Sequence, residues 1–260
     1  MMRLKPTVIL TLVIFALPSM LALAQSPLGQ HFGEPADPSV WPISAVGRVN
    51  LPGDARYRST IEWCNGTLVG VDLVLTSAQC VSDYQGVPQD IHFATGIKRG
   101  VPSEHSIAKG VFISPLHRPP NPEANLRASA GSEPGVEDIE RVKDDWAIIV
   151  LKEHLSVRPI SVRSLNASQL VTAAPFIHVG YGSDRPFLPS IVRNCKVDAY
   201  DDQTLIHRCL SFAGYAGAPI LAQFDGAYSV IGMATTSDFV AKGYASSAIQ
   251  FEGAVAALSK

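Results

Sequence analysis

Charge is scarce in this sequence. Asp, Glu, Lys and Arg make up 17% of its 260 residues, and the formal net charge is −2. No block of like charge forms a basic tail, so nucleic acid is not an expected partner. Cysteine is scarce as well. The four present are Cys64, Cys80, Cys195 and Cys209, none in the close C-x-x-C spacing of a zinc site. His92, His105, His117, His154 and His178 have no metal-ligand spacing either, and read as surface or satisfied core histidines. No metal and no cofactor is expected. After residue 24 no apolar run is long enough to cross a bilayer, so no membrane insertion is expected once that segment is removed. Strand-like segments do not alternate with helical ones, which argues against a doubly wound α/β fold.

What is present begins with an export signal. Arg3 and Lys5 precede the apolar run Val8–Leu23, and Ala22-Leu23-Ala24 forms an A-x-A cleavage site before Gln25. Residues 1–24 therefore read as a secretory signal peptide, with an uncleaved anchor as the alternative, and the mature protein as secreted or periplasmic. No cysteine follows the run directly, so a lipidated N-terminus is not expected. Export to an oxidising space favours disulfides. Four cysteines allow three connectivities, and the two local pairs Cys64–Cys80 and Cys195–Cys209 are the simplest. Each closes a loop of about fifteen residues, worth roughly 3 kcal/mol in the chain-entropy model.

Residues 25–40 are polar and contain Pro and Gly, as in a flexible leader. Short strand signals then recur between turns: Ala45–Asn50, Thr60–Trp63, Thr67–Val69, Leu73–Thr76, Ile91–Gly96 and Ile107–Ile113. Gly70-Val71-Asp72 reads as a hairpin turn. Pro115–Arg141, rich in Pro, Ala, Gly and charge, reads as a long surface loop. A buried strand follows around Trp146–Leu151, and Pro159–Asn166 reads as a crossing between halves. Phe176–Gly182, Ile191–Val197, Thr204–His207, Pro219–Leu221, Tyr228–Ala234 and Gly243–Ala248 are strand candidates in the second half. Phe251–Leu258 has helical spacing of Ala254, Val255 and Leu258. Many short strands between turns indicate an all-β sandwich or barrel.

Three segments carry a more specific signal. Cys209–Leu221 reads C-L-S-F-A-G-Y-A-G-A-P-I-L, a tight turn running into a strand. It resembles the G-x-S-G-x-P nucleophile loop of trypsin-like serine proteases, with Ala216 at the serine position. Asn65–Cys80 ends in T-S-A-Q-C and resembles that family's T-A-A-H-C segment, with Gln79 at the histidine. Asp145-Trp146-Ala147-Ile148-Ile149 resembles its D-W-A-L-L segment, with Asp145 at the triad aspartate. The order base, acid, nucleophile is that of chymotrypsin-type enzymes. Trp41–Arg48 (W-P-I-S-A-V-G-R) is similar to the opening of the glutamyl-endopeptidase-like bacterial branch. The resemblance covers roughly Trp41 to the end. It implies two antiparallel six-stranded β-barrels, residues 41–157 and 158–260, with a short C-terminal helix and a site in the cleft between barrels.

The departures fall on the chemistry. Gln79 cannot shuttle a proton near neutral pH, and Ala216 has no hydroxyl to form an acyl intermediate. Asp145 keeps its triad identity. Tyr215 replaces the residue before the nucleophile, where it either caps the cleft or packs where a smaller residue stood. The backbone N–H groups of Gly214 and Ala216 are expected to retain an oxyanion hole, which needs no side chain. Ser211 and His207 are the stand-ins for a rebuilt site, but their bland reading is turn and strand-end residues. Asn65-Gly66-Thr67 and Asn166-Ala167-Ser168 have the form of glycosylation sequons. The expectation is a catalytically inactive protease homologue, not an enzyme, that binds a protein or peptide. An active hydrolase with a rebuilt site and an envelope assembly component using an outer face are the alternatives.

Overall fold

A computed structural model describes residues 33–51, 63–119, 136–173, 175–209, 214–237 and 242–260. The expected signal peptide, residues 25–32 of the expected leader, Thr60–Glu62, residues 120–135 and Ser211 lie outside the described residues. The chain enters through β1 (Glu34–Pro35) and continues through β2 (Val46–Asn50), β3 (Trp63–Leu68) and β4 (Leu73–Thr76). A one-turn helix α1 (Ala78–Val81) precedes β5 (His92–Thr95) and β6 (Glu104–Ile113). Helix α2 (Val136–Val142) leads to β7 (Ala147–Leu151), β8 (Ser161–Val162) and α3 (Ala167–Ala173). Then follow β9 (Phe176–Gly180), β10 (Ser190–Cys195), β11 (Val197–Ala199) and β12 (Thr204–His207). The chain closes with β13 (Pro219–Phe224), β14 (Ala227–Ser237), β15 (Gly243–Ser247) and α4 (Glu252–Leu258).

Strands β2-β3-β4-β7-β6-β5 form a closed six-stranded barrel. The expected hairpin at Gly70–Asp72 joins β3 to β4, with Thr67 opposite Leu75 and Leu68 opposite Val74. Phe93 is fully buried inside. Gly47 and Gly66 are register partners; a methyl at Gly47 would run into the Phe93 ring, and one at Gly66 into Val74 and Val49. β7 reads Ala-Ile-Ile-Val-Leu because it lies between β4 and β6, covered on nearly all of its length.

The second assembly is a nine-stranded sheet in the order β1-β10-β9-β13-β14-β15-β12-β11, with β8 added in parallel beside β14. Two closed six-stranded barrels were expected; here the ladder does not close, and the sheet is a half-barrel. The reason lies at Asn194, whose φ of 56° coincides with a register shift between Arg193 and Cys195. β10 ends there, and β11 starts after the single residue Lys196. The bend carries the chain from one end of the sheet straight to the other. The Cys195–Cys209 disulfide, Cα–Cα 4.9 Å, crosses the same join. Inside this curl lie Phe176, Leu205, Ile220, Ile231 and Ala245, with Leu170 of α3 packed against them.

Both disulfides follow the local pairing, with Cys64–Cys80 tying β3 to α1. They point to an oxidising, extracytoplasmic environment. Among the described residues no helix is long and apolar enough to cross a membrane. The C-terminal helix runs Glu252–Leu258 and buries Val255, while Phe251, just before it, packs near Trp146 with ring centroids 6.4 Å apart.

Three segments differ from the sequence expectation. Residues 34–36 of the leader are ordered, because Glu34 and Pro35 pair with Ile191 and Ser190 and the Ala36 amide donates to the Pro189 carbonyl. The end of the expected long loop is helix α2, whose Ile139 and Val142 bury one face. The expected crossing contains β8 and leads into α3, fixed by a reciprocal cap. Asn166 Oδ1 accepts the Gln169 N–H, and Gln169 Oε1 accepts the Asn166 N–H, each at 2.9 Å.

Candidate functional site

Asn65 on β3 is the hinge pin of the site. It is fully buried. Its backbone N–H donates to the Ala216 carbonyl at 2.7 Å. Its side-chain amide donates to the carbonyls of Gly214 (2.6 Å) and Tyr181 (3.2 Å), and its Oδ1 accepts the Tyr181 N–H at 2.7 Å. Its own carbonyl accepts the Thr76 hydroxyl at 2.7 Å. One residue of the first barrel thus fixes the 214–216 turn and the chain just after β9. With every polar atom committed indoors, the Asn65 sequon is no glycan acceptor in the folded protein.

The turn itself needs glycine at two places. Gly214 has φ +97° and Gly217 φ +83°, and a side chain at Gly217 would strike the Asn65 carbonyl and the Thr76 hydroxyl. The Gly217 N–H donates to the Ala234 carbonyl at 2.8 Å, and Ala218 exchanges bonds with Tyr215 and Ala234 at 2.9 Å each. Among the described residues nothing accepts the amides of Gly214 or Ala216. The half-buried methyl of Ala216 occupies the apex.

The Gln79 and Asp145 segments meet at the same place. β4 runs through Thr76, which holds Asn65, into Ser77 and α1. Asp145, at the mouth of β7, reaches under that first turn. Its Oδ1 accepts the Gln79 backbone N–H at 2.8 Å, and its Oδ2 accepts the Ser77 hydroxyl at 2.5 Å. The carboxylate therefore anchors α1. Burial pushes its pKa up to about 7, against the opposing pull of the Ser77 hydroxyl and of the Gln79 and Ala78 amides. The Gln79 side chain is exposed, and its Nε2 donates to the Thr235 carbonyl on β14 at 3.0 Å. Thr235 adjoins Ala234, the partner of the Ala216 turn. Gln79 and the Ala216 turn thus bond neighbouring residues of β14, and Asp145 bonds Gln79, so the three stand in one cluster spanning barrel and sheet.

Tyr215 faces away from this cluster. It is 3% exposed, and a methyl at Gly180 or Gly182 would strike its ring. The ring lies 5.1 Å from His178, and burial pushes its phenol up to about 12. His207 is fully buried 5.5 Å from His178, so it stands in the sheet's interior. His178 Nδ1 bonds the Pro219 carbonyl at 2.9 Å, and burial lowers its pKa to about 4.

His117 was expected to be a surface or satisfied core histidine and is neither. Its side chain is 7% exposed, its Nδ1 stands 3.7 Å from Asp145 Oδ1, and neither ring nitrogen makes a hydrogen bond. Burial holds it below the usual histidine range, while the charge of Asp144 pulls the other way. That gap is beyond hydrogen-bond reach. Nothing in the local pattern Ser114–Arg118 announces the proximity, which arises from β6 and β7 being neighbours. Asn65, Ser77 and Thr235 were missed as site residues too; Asn65 and Ser77 sit inside motifs already noted, next to residues with louder signals.

Among the described residues no three His, Cys, Asp or Glu side chains cluster as metal ligands. No family model matches this chain, and no curated protein matches it significantly. The functional reading therefore rests on the geometry and on the motifs.

Proposed function

We propose that this chain is a trypsin-like serine protease homologue that has lost its chemistry and acts by binding a protein or peptide. On this reading β10 and β11 are two arms of one bent strand lying between β9 and β12. The half-barrel then corresponds to the second barrel of the chymotrypsin-like architecture, and the cluster lies in the cleft between the two.

The observation that carries the proposal is that Gln79 and the Ala216 turn bond adjacent residues of β14, Thr235 and Ala234, while Asp145 accepts the Gln79 amide. In subtilisin, losing the nucleophile and base together costs on the order of 10⁶ in turnover. Roughly 10³–10⁴ over water survives such losses, from the oxyanion hole and substrate binding. The amides of Gly214 and Ala216 are suited to that residual task, since they need no side chain and have no other acceptor among the described residues. A peptide carbonyl is then held and not cut. Tyr215, turned into the interior, leaves the mouth of the turn unobstructed by its own ring.

Installing Gln79→His and Ala216→Ser together tests this reading. The double variant is expected to cleave a mixed peptide library that the parent leaves intact. A folded double variant that cleaves nothing would overturn it. The proximity of His117 to Asp145 favours the rebuilt hydrolase as second reading. It predicts fluorophosphonate labelling of the parent at a single serine, and an unlabelled folded parent removes it.

A further inference from the structure

Thr235 of β14 has no register partner in the ladders on either side. Towards β15, Ala234 pairs with Ala245 and Thr236 with Tyr244, and the register shifts between them. The extra residue of such a bulge can turn its backbone out of the sheet. The Thr235 carbonyl does so, and Gln79 Nε2 reaches it from the first barrel at 3.0 Å. Towards β13, pairing runs as far as Met233, and the bonds of Gly217 and Ala218 to Ala234 end the contact. Among the described residues no strand lies beside Thr235–Ser237 on that border. A side chain, not a backbone, takes the acceptor at the start of this short open edge.

Gln79 stands on a fixed base. Its own N–H is held by Asp145 Oδ1 at 2.8 Å. The next residue, Cys80, is bound to Cys64 by a disulfide, and its N–H donates to the Ser77 carbonyl at 3.2 Å. The side chain, by contrast, is exposed. It gives up rotamer freedom to make one neutral hydrogen bond, so the contact is weak enough for a ligand to displace.

We propose that the Gln79 carboxamide is a latch that competes with the ligand's backbone for Thr235. This rests on the reading of the cleft as a peptide site. A residue in extended conformation sends its N–H and C=O to the same side. A peptide whose carbonyl meets the Gly214 and Ala216 amides therefore aims the N–H of that residue at β14, where the turn bonds Ala234 and Thr235 comes next. Gln79 spans from barrel to sheet at that point, so its side chain lies in the path of the incoming backbone. In the empty protein the latch covers the acceptor and keeps the edge from pairing with another chain. The partner that opens it is an extended segment with a free N–H at that residue, which excludes proline there.

The test is retention of a mixed peptide library on immobilised full-length parent, Gln79→Ala and Gln79→Glu, quantified by mass spectrometry. Gln79→Ala removes the latch. Gln79→Glu keeps its size, but a carboxylate cannot donate to a carbonyl. Freeing the ligand from displacing one neutral hydrogen bond corresponds to about threefold to tenfold in affinity, so both variants are expected to retain several times more peptide than the parent. Circular dichroism establishes that each variant is folded. Equal retention by all three would overturn the proposal, because Gln79 then obstructs nothing. Lower retention by Gln79→Ala would overturn it as well, because Gln79 is then part of the ligand contact. No retention by any of the three sinks it too; the cleft reading is then decided separately by cleavage with the Gln79→His, Ala216→Ser double variant, in which the latch is absent.

Discussion

Replacing Asp145 with asparagine sets burial against hydrogen bonding at one carboxylate. Asp145 is 7% exposed and accepts two hydrogen bonds that favour its charged form. Desolvation still wins, because its pKa rises from 3.8 to about 7. The folded state thus holds a proton up to about pH 7 that the unfolded chain releases near 3.8. Between those values the native state binds more protons, so stability falls as pH rises. The rise from 3.8 to about 7 amounts to about 4 kcal/mol in full, of which about 2.5 kcal/mol develops between pH 5 and pH 8. In Asp145→Asn the Oδ1 still accepts the Gln79 amide, and the new Nδ2 can donate to the Ser77 oxygen. The variant therefore keeps the geometry and lacks the titration. Urea unfolding of both proteins at pH 5, 6, 7 and 8, with disulfides intact, reads the difference. The asparagine variant is expected to gain on the parent steadily as pH rises. A difference that stays constant across that range would refute the reasoning, and would mean that Ser77 and the α1 amides outweigh burial.

His178→Gln is expected to act in the opposite sense. The unfolded chain protonates at 6.5 but the buried ring only at about 4, so the parent loses about 3 kcal/mol as pH falls through that window and the variant does not; urea midpoints at pH 4, 5 and 6.5 check it. Because the Asp145 and His178 contributions oppose each other, the parent itself should show a shallow profile there. Asn65→Ala strands the buried amide of Tyr181 and the carbonyl of Gly214, and is expected to cost about 3 kcal/mol in chemical denaturation. Gly217→Ala combines a left-handed backbone with contact on the Asn65 carbonyl, and should lower stability by more than about 2 kcal/mol, read in the same assay.

Local pattern was enough to see most strands, because strands such as β4 and β7 are short apolar runs. It was enough for both disulfides, since each pair brackets a single hairpin or strand turn. It was not enough for β1 and β8, which are two-residue strands defined only by what they pair with. Helix α3 was missed although its start is written in the chain as Asn166-x-x-Gln169, a capping pattern overlooked inside a sequon. Helix α2 was missed because Pro134 and Gly135 dominate its approach, while its apolar face is only Ile139 and Val142. At the site, Gln79, Asp145 and Ala216 were legible as motif positions. Their supports were not. Asn65 bonds to Gly214 across 149 positions and Gln79 to Thr235 across 156, and no window of sequence spans such distances. His117 meets Asp145 through the pairing of β6 with β7, which no local pattern at Ser114–Arg118 announces.

The bend at Asn194 has a bearing on how the molecule behaves in a crowd. A sheet that stays open ends in two rows of unpaired N–H and C=O groups, the usual template for polymerisation. Here those terminal strands are two and three residues long. The bend also sets β10, beside the first of them, one residue from the second, and a disulfide locks the join. An incoming strand finds only two or three residues to pair with on either terminal strand. The sheet gains the colloidal safety of a closed cylinder without completing its last row of hydrogen bonds.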